Sequence, residues 1–161
     1  MNQLAARLAQ DHRELDAILR CLAQDAEAPC AGVLESTWDG FERRLIRHMQ
    51  AEEQFLLPLV EVSNPVEVAR TLQEHAQIRD LIAELGVAIE LHTVRASDIY
   101  RLIDLLRAHS RHEDEALYQL AGDKASAAVE HGIIAMLKAA LHLGSAGHAE
   151  PVSAVQERAR S

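Results

Sequence analysis

A chain of 161 residues is long enough for one domain with a substantial apolar core. Apolar residues make up 48% and aromatics 3%, and Gly and Pro are few, a composition that favours helices over sheets. The net charge of -9, with no basic cluster, argues against nucleic acid and against an anionic membrane surface as partners.

The first helix is expected over about residues 2–26, with Leu4, Leu8, His12, Leu15, Leu19 and Leu22 on one stripe. The second is expected over about 33–60, striped by Leu34, Trp38, Phe41, Leu45, His48, Glu52, Phe55 and Leu59. Spacings of three and four alternate, as an inward seam requires. NPVE opens the third helix: Asn64 can cap it, Pro65 suits its first turn and Glu67 completes a capping box. Its stripe reads Val68, Leu72, His75, Arg79, Ile82, Gly86, Ile89. The fourth begins near Ser97, with Ile99, Leu102, Leu106, His109, Glu113, Ala116 and Leu120. A fifth, over about 124–143, carries Val129, Ile133, Met136, Ala140 and Leu143, and is expected to cover the bundle rather than form a dimer interface. Residues 145–161 read as a flexible tail. Short connections make sequential helices antiparallel neighbours. The expected fold is all-α: an antiparallel up-and-down four-helix bundle over 1–121, an additional C-terminal helix over 122–144, and the tail.

Polar residues interrupt these seams. RHMQAEEQFLLP, from Arg47, superposes on AHSRHEDEALYQ, from Ala108, so that His48 meets His109, Glu52 meets Glu113 and Leu57 meets Tyr118. His12, His75 and Arg79 interrupt the other two stripes. Measured from one end of the bundle, His12, His48, Glu52, His75, His109 and Glu113 fall within about seven residues of a common depth, roughly 10 Å along the axis. Neighbouring helix axes lie about 8–10 Å apart, so four imidazoles and two carboxylates can converge.

A lone core histidine is usually satisfied by a hydrogen bond, and a lone glutamate usually faces solvent. Burying an unpaired carboxylate costs several kcal/mol, so the set together is different. Protonated histidines would leave surplus positive charge, because no stripe offers another acid. Metal cations balance the set. Nitrogen and oxygen ligands without thiolate fit iron, manganese or zinc. Two carboxylates able to bridge suggest two ions, and the Glu-x-x-His pairs of ferritin-like bundles are absent.

The chain here resembles the hemerythrin-like, or HHE cation-binding, family over about residues 1–121. The resemblance is carried by His12 in DHREL, by HMQAEEQFLLP, by His75 in LQEHAQIRDLI and by HSRHEDEALY. It implies a four-helix bundle holding a non-haem di-iron centre. His12, His48, His75 and His109 would bind terminally, and Glu52 and Glu113 would bridge two iron ions beside an oxo or hydroxo group. Oxygen-carrying hemerythrins have a further histidine where Arg79 stands. Arginine stays protonated and has no lone pair to give, so the ion held by His75 is expected to keep an open position. Those hemerythrins also close the last motif with an aspartate, matched by Asp114. Glu113 lies on the stripe, with Asp114 about 100° off it, so Glu113 is the expected ligand. Both departures suit the wider bacterial group, whose proposed roles include oxygen sensing and the handling of nitric oxide or peroxide.

His112 is expected at the surface and Tyr118 at a helix end. Glu53, one position round from Glu52, is expected away from the ligands. Cys21 and Cys30 read as free thiols in a reducing cytosol, the opening segment does not read as a signal peptide, and no apolar run approaches bilayer length. The leading expectation is a cytoplasmic di-iron protein, monomer or homodimer, that binds or reacts with oxygen, nitric oxide or peroxide. The alternatives are an iron-sensing or iron-buffering module and a zinc-stabilised interaction protein.

Overall fold

The computed structural model describes residues 3–27 and 31–142, with backbone alone for 31–33 and 140–142. Cys30, Leu143 and the expected tail lie outside the described residues. Every regular element among those described is helical. Helix α1 spans Gln3–Glu27 and α2 spans Ala31–Ala51. α2 runs on through a π-helical turn, Glu52–Leu56, into α3, Leu57–Val60. α4 spans Pro65–Glu90. α5, Ala96–His112, continues through a second π turn, Glu113–Leu117, into α6, Tyr118–Gly122. α7 spans Ala127–His142.

Local chemistry sets the starts. The Asn64 side chain accepts from the Glu67 amide at 3.3 Å, and Pro65 occupies the first turn of α4. The expected box does not close, because the Asn64 amide donates to the Val60 carbonyl instead. That releases the Glu67 carboxylate, which lies against His112. α7 starts three residues later than its periodicity suggests. Lys124 and Ala125 bond back to the Ala121 carbonyl, and the Ser126 hydroxyl accepts from the Val129 amide at 3.4 Å.

α1 packs against α2 and α5, and α4 packs against the same two, so the long helices form a bundle. α7 lies on α2 and on the first π turn. It buries Ile133 and Leu137, so it covers the bundle. Gly132 permits that approach: a Cβ there would stand 2.7 Å from Phe55 Cε1 and 2.8 Å from Cζ.

Three stripes differ from expectation. After Glu52 the buried residues are Leu56, Leu57 and Val60, with Phe55 and Leu59 only half-buried. After Glu113 they are Leu117, Tyr118 and Ala121, with Ala116 and Leu120 half-buried. Both shifts are one residue, the extra residue that a π turn takes up. On α4 the buried face is Val68, Thr71, His75, Ile78, Ile82, Leu85 and Ile89. Leu72 is 44% exposed, and Arg79 lies at the rim.

The apolar core is divided in two. One cluster gathers Leu19, Phe41, Leu45, Ile82 and Leu102. The other gathers Leu8, Leu56, Val60, Leu117 and Ile133. In chain order Asp11, Thr71, His75, His109, His112 and Glu113 lie between stretches of the two, while Arg44 and His48 fall among residues of the first and Glu52 among residues of the second; all nine are buried.

Candidate metal centre

α1 brings Asp11 and His12, α2 brings Arg44 and His48, and α4 brings Glu74 and His75. α5 brings His109 and His112. The two π turns open on Glu52 and Glu113 themselves. The six expected residues are therefore brought together. Glu52, His75 and Glu113 are fully buried, His48 is 1% exposed and His109 3%; His12 is half-buried.

Their inward atoms form two groups that share both carboxylates. One group is His12, His48, Glu52 and Glu113; the other is Glu52, His75, His109 and Glu113, with the ligand-type atoms of each within 4.8 Å of one another. His48 Nε2 stands 3.2 Å from Glu52 Oε1, and His12 Nε2 stands 3.3 Å from Glu113 Oε2. His75 Nε2 lies 3.4 Å from Glu52 Oε2 and 3.5 Å from Glu113 Oε1, while His109 Nε2 lies 3.2 Å from Glu113 Oε2. Yet Nε2 of His48, His75 and His109, Oε2 of Glu52 and Oε1 of Glu113 are buried without a hydrogen bond. Buried polar atoms are ordinarily paired, and five such atoms facing one another in two His/Glu groups could hold metal ions.

The outer faces of three of the four imidazoles are tethered to acids that lie on no stripe, which overturns the expectation that no other acid would be available. His48 Nδ1 meets Asp11 Oδ2 at 2.8 Å, His75 Nδ1 meets Glu53 Oε1 at 2.8 Å, and His109 Nδ1 meets Glu74 Oε2 at 2.9 Å. Each acid has its own support. Arg44 bonds to Asp11, through Nε at 3.0 Å, and to Glu14. Arg79 donates to Glu53 at 2.8 Å, so its guanidinium serves the acid that holds His75. His112 is buried, not at the surface, with Nδ1 2.8 Å from Glu74 Oε2 and Nε2 2.7 Å from Glu67 Oε1. A carboxylate on Nδ1 fixes the tautomer that directs the Nε2 lone pair inward.

The electrostatics agree. Burial opposes charge on His75, but Glu113 and Glu52 outweigh it and raise its pKa to about 10. Burial likewise opposes charge on His48, and Glu52 and Asp11 raise its pKa well above the usual range. Burial pushes the Glu74 carboxyl up, yet His109 and His112 hold it down at about 2. The layer attracts cations, whether protons or metal ions.

Tyr118 also points into the layer, against expectation. Its hydroxyl donates to Glu52 Oε1 at 2.5 Å, with Glu113 Oε2 at 3.3 Å, and its ring stacks on His12. Burial and the two carboxylates push its pKa well up, so the phenol remains a donor. In an unbroken α-helix, a residue five after Glu113 would sit about 140° away; the π turn returns it to the same face.

Several of these groups had no stripe to reveal them. A subtler signal was present: Asp11 and Glu74 directly precede His12 and His75, and Glu53 directly follows Glu52. Each serves a histidine on a different helix. The superposition that pairs Glu52 with Glu113 also pairs Glu53 with Asp114. Asp114 is exposed, and Nδ1 of His12, the histidine it would mirror, has no hydrogen bond.

No helix of the described residues is long and apolar enough to cross a membrane. No curated protein and no solved structure matches the chain significantly. A family model does match: hemerythrin HHE cation binding domain, over residues 3–121. With the match spanning most of its length and the helical bundle that carries the His/Glu layer, the chain belongs to the hemerythrin HHE cation-binding family.

Proposed function

We propose that this is a cytoplasmic di-iron protein, an antiparallel up-and-down four-helix bundle capped by α7, that binds or reacts with oxygen, nitric oxide or peroxide. His12 and His48 would hold one ion and His75 and His109 the other, with Glu52 and Glu113 available to both, beside an oxo or hydroxo group. The observation that carries this reading is the set of buried Nε2 and carboxylate oxygen atoms without hydrogen bonds, arranged in two groups with both carboxylates in common. Nitrogen and oxygen donors without thiolate suit iron. Iron would supply redox electrons and coordination positions for a small ligand.

The chain's own residues have three tasks. Asp11, Glu53 and Glu74 orient the imidazoles. Tyr118 hydrogen-bonds both shared carboxylates and so limits their swing. A cavity of about 770 Å³ between α1 and α5 reaches His12, His48 and His109 and gives a small molecule a way in. Arg79 has no lone pair to offer an ion at His75 and lies at the rim, where its guanidinium donates to Glu53, the acid that holds His75.

Metal analysis and an optical spectrum of protein purified from iron-supplied cells test the proposal. Two irons per chain with near-ultraviolet bands are expected. One zinc and a featureless spectrum would overturn it in favour of a zinc-stabilised interaction protein.

A further inference from the structure

One histidine outside the six is built as three of them are. Glu74 anchors two imidazoles at once. Its Oε2 accepts from His109 Nδ1 at 2.9 Å and from His112 Nδ1 at 2.8 Å, while Arg70 Nε donates to its Oε1 at 3.1 Å. With the proton of each ring held on Nδ1, each Nε2 carries a lone pair. His109 Nε2 faces the His/Glu layer, 3.2 Å from Glu113 Oε2. Three residues further along α5 the helix has turned by about 60°, so His112 looks elsewhere. Its Nε2 stands 2.7 Å from Glu67 Oε1, a carboxylate that belongs to neither group of the layer.

The two side chains are 6% and 11% exposed, and neither facing atom has a hydrogen bond. Two lone-pair-bearing atoms this close repel each other unless a cation stands with them. A proton shared along the line between them would be a hydrogen bond, and the alignment for one is absent. A metal ion lies off the line that joins its ligands. Donors about 2.0–2.2 Å from one ion, at right angles to each other, stand roughly 2.8–3.1 Å apart, close to the separation found here. Thr71, one turn along α4 from Glu67, is also fully buried with its hydroxyl unpartnered. That hydroxyl is available to a water on such an ion.

We propose that His112 and Glu67 bind a separate cation, a divalent first-row metal ion, at a site of its own beside the six-residue layer. Nitrogen and oxygen donors without thiolate suit such ions. With two protein ligands, against four in each group of the layer, the site should hold its ion more weakly and exchange it with solvent. Glu74 links the two sites, because the acid that orients His109 also orients His112. The inference rests on residues outside the six, not on which metal the layer carries.

Equilibrium dialysis of the protein as purified against cobalt(II) tests it, with cobalt, iron and zinc measured on the same sample. Wild type is expected to take up one more cobalt per chain than Glu67→Ala, whether or not the layer arrives filled, with equal iron and zinc in both. The unfolding midpoint of the variant in chelator checks its fold. Wild-type crystals soaked in cobalt give a reading that needs no variant: an anomalous peak is expected against His112 Nε2 and Glu67. Equal cobalt in the two proteins, cobalt gained only in exchange for resident ions, or a map empty at His112 would each overturn the proposal. His112 would then be an imidazolium paired with both glutamates. One resident zinc together with the extra cobalt would sink the di-iron reading alone; two resident irons without the extra cobalt would sink the separate site alone.

Discussion

Asp114 stands where the second half of the pseudo-repeat would carry a counterpart of Glu53, and it is one methylene shorter. Of the four histidines in the two His/Glu groups, three have a carboxylate on Nδ1; His12 does not. Asp114→Glu should let a carboxylate reach His12 and slow the removal of one of two metal equivalents by a chelator. If the variant's crystal structure shows that bond and both equivalents leave at the original rates, the tether has no role. The same logic sets a graded expectation for the neighbouring pair of glutamates. Glu52→Ala should lose most of the metal, and Glu53→Ala should weaken binding by about 10–100-fold through a loosened His75. Chelator competition measures both, and wild-type affinity in Glu53→Ala would exclude the part given to Glu53. The six inward residues were visible in the sequence because each breaks an apolar stripe. Their tethers were hidden because Asp11, Glu53 and Glu74 occupy positions where acids ordinarily face solvent, and only the packing of neighbouring helices turns them inward.

Helices announce themselves by periodicity, and the five helical segments were legible from alternating threes and fours. The π turns were not. Phe55, Leu56 and Leu57 are consecutive and apolar, as are Leu59 and Val60, so α-helical and π-shifted registers both found apolar residues for the core. The Ala116–Leu117 and Leu120–Ala121 pairs concealed the second shift in the same way. On α4, Arg79 and Gly86 fitted an alternation of threes and fours as well as Ile78 and Leu85 do. α7 is fitted to the first π turn through the close approach of Gly132 to Phe55. A Gly→Ala change inside a helix ordinarily stabilises by about 1 kcal/mol. At Gly132 the new methyl would overlap the Phe55 ring, so Gly132→Ala should destabilise by about 1–3 kcal/mol. In a Phe55→Ala background the same change should become stabilising. Denaturant unfolding of the four proteins reads the sign, and stabilisation by Gly132→Ala in the wild-type background would show that α7 is free to shift.

Across the whole molecule, the polar layer between the two apolar clusters ties its stability to what it binds. Stripping the metal leaves two shared carboxylates and four imidazoles without the cations between them. For ions present at a hundredfold above their dissociation constant, binding contributes about 2.7 kcal/mol, a midpoint change of roughly 5–10 °C for a chain of this size. Scanning calorimetry with and without chelator measures it, and an unchanged midpoint would mean that the layer holds no ion. The division of the core has a second consequence, for cooperativity. Two apolar clusters joined through a charged layer are candidates for separate folding units. With ions bound, opening either unit breaks the bonds to both, so the halves should melt together. Without them, the cluster around Leu8 and Leu56 should open at lower cost than the one around Phe41 and Ile82. Native-state hydrogen exchange would then divide α1 near Asp11: amides towards its start should lose protection first, while those towards its end remain closed.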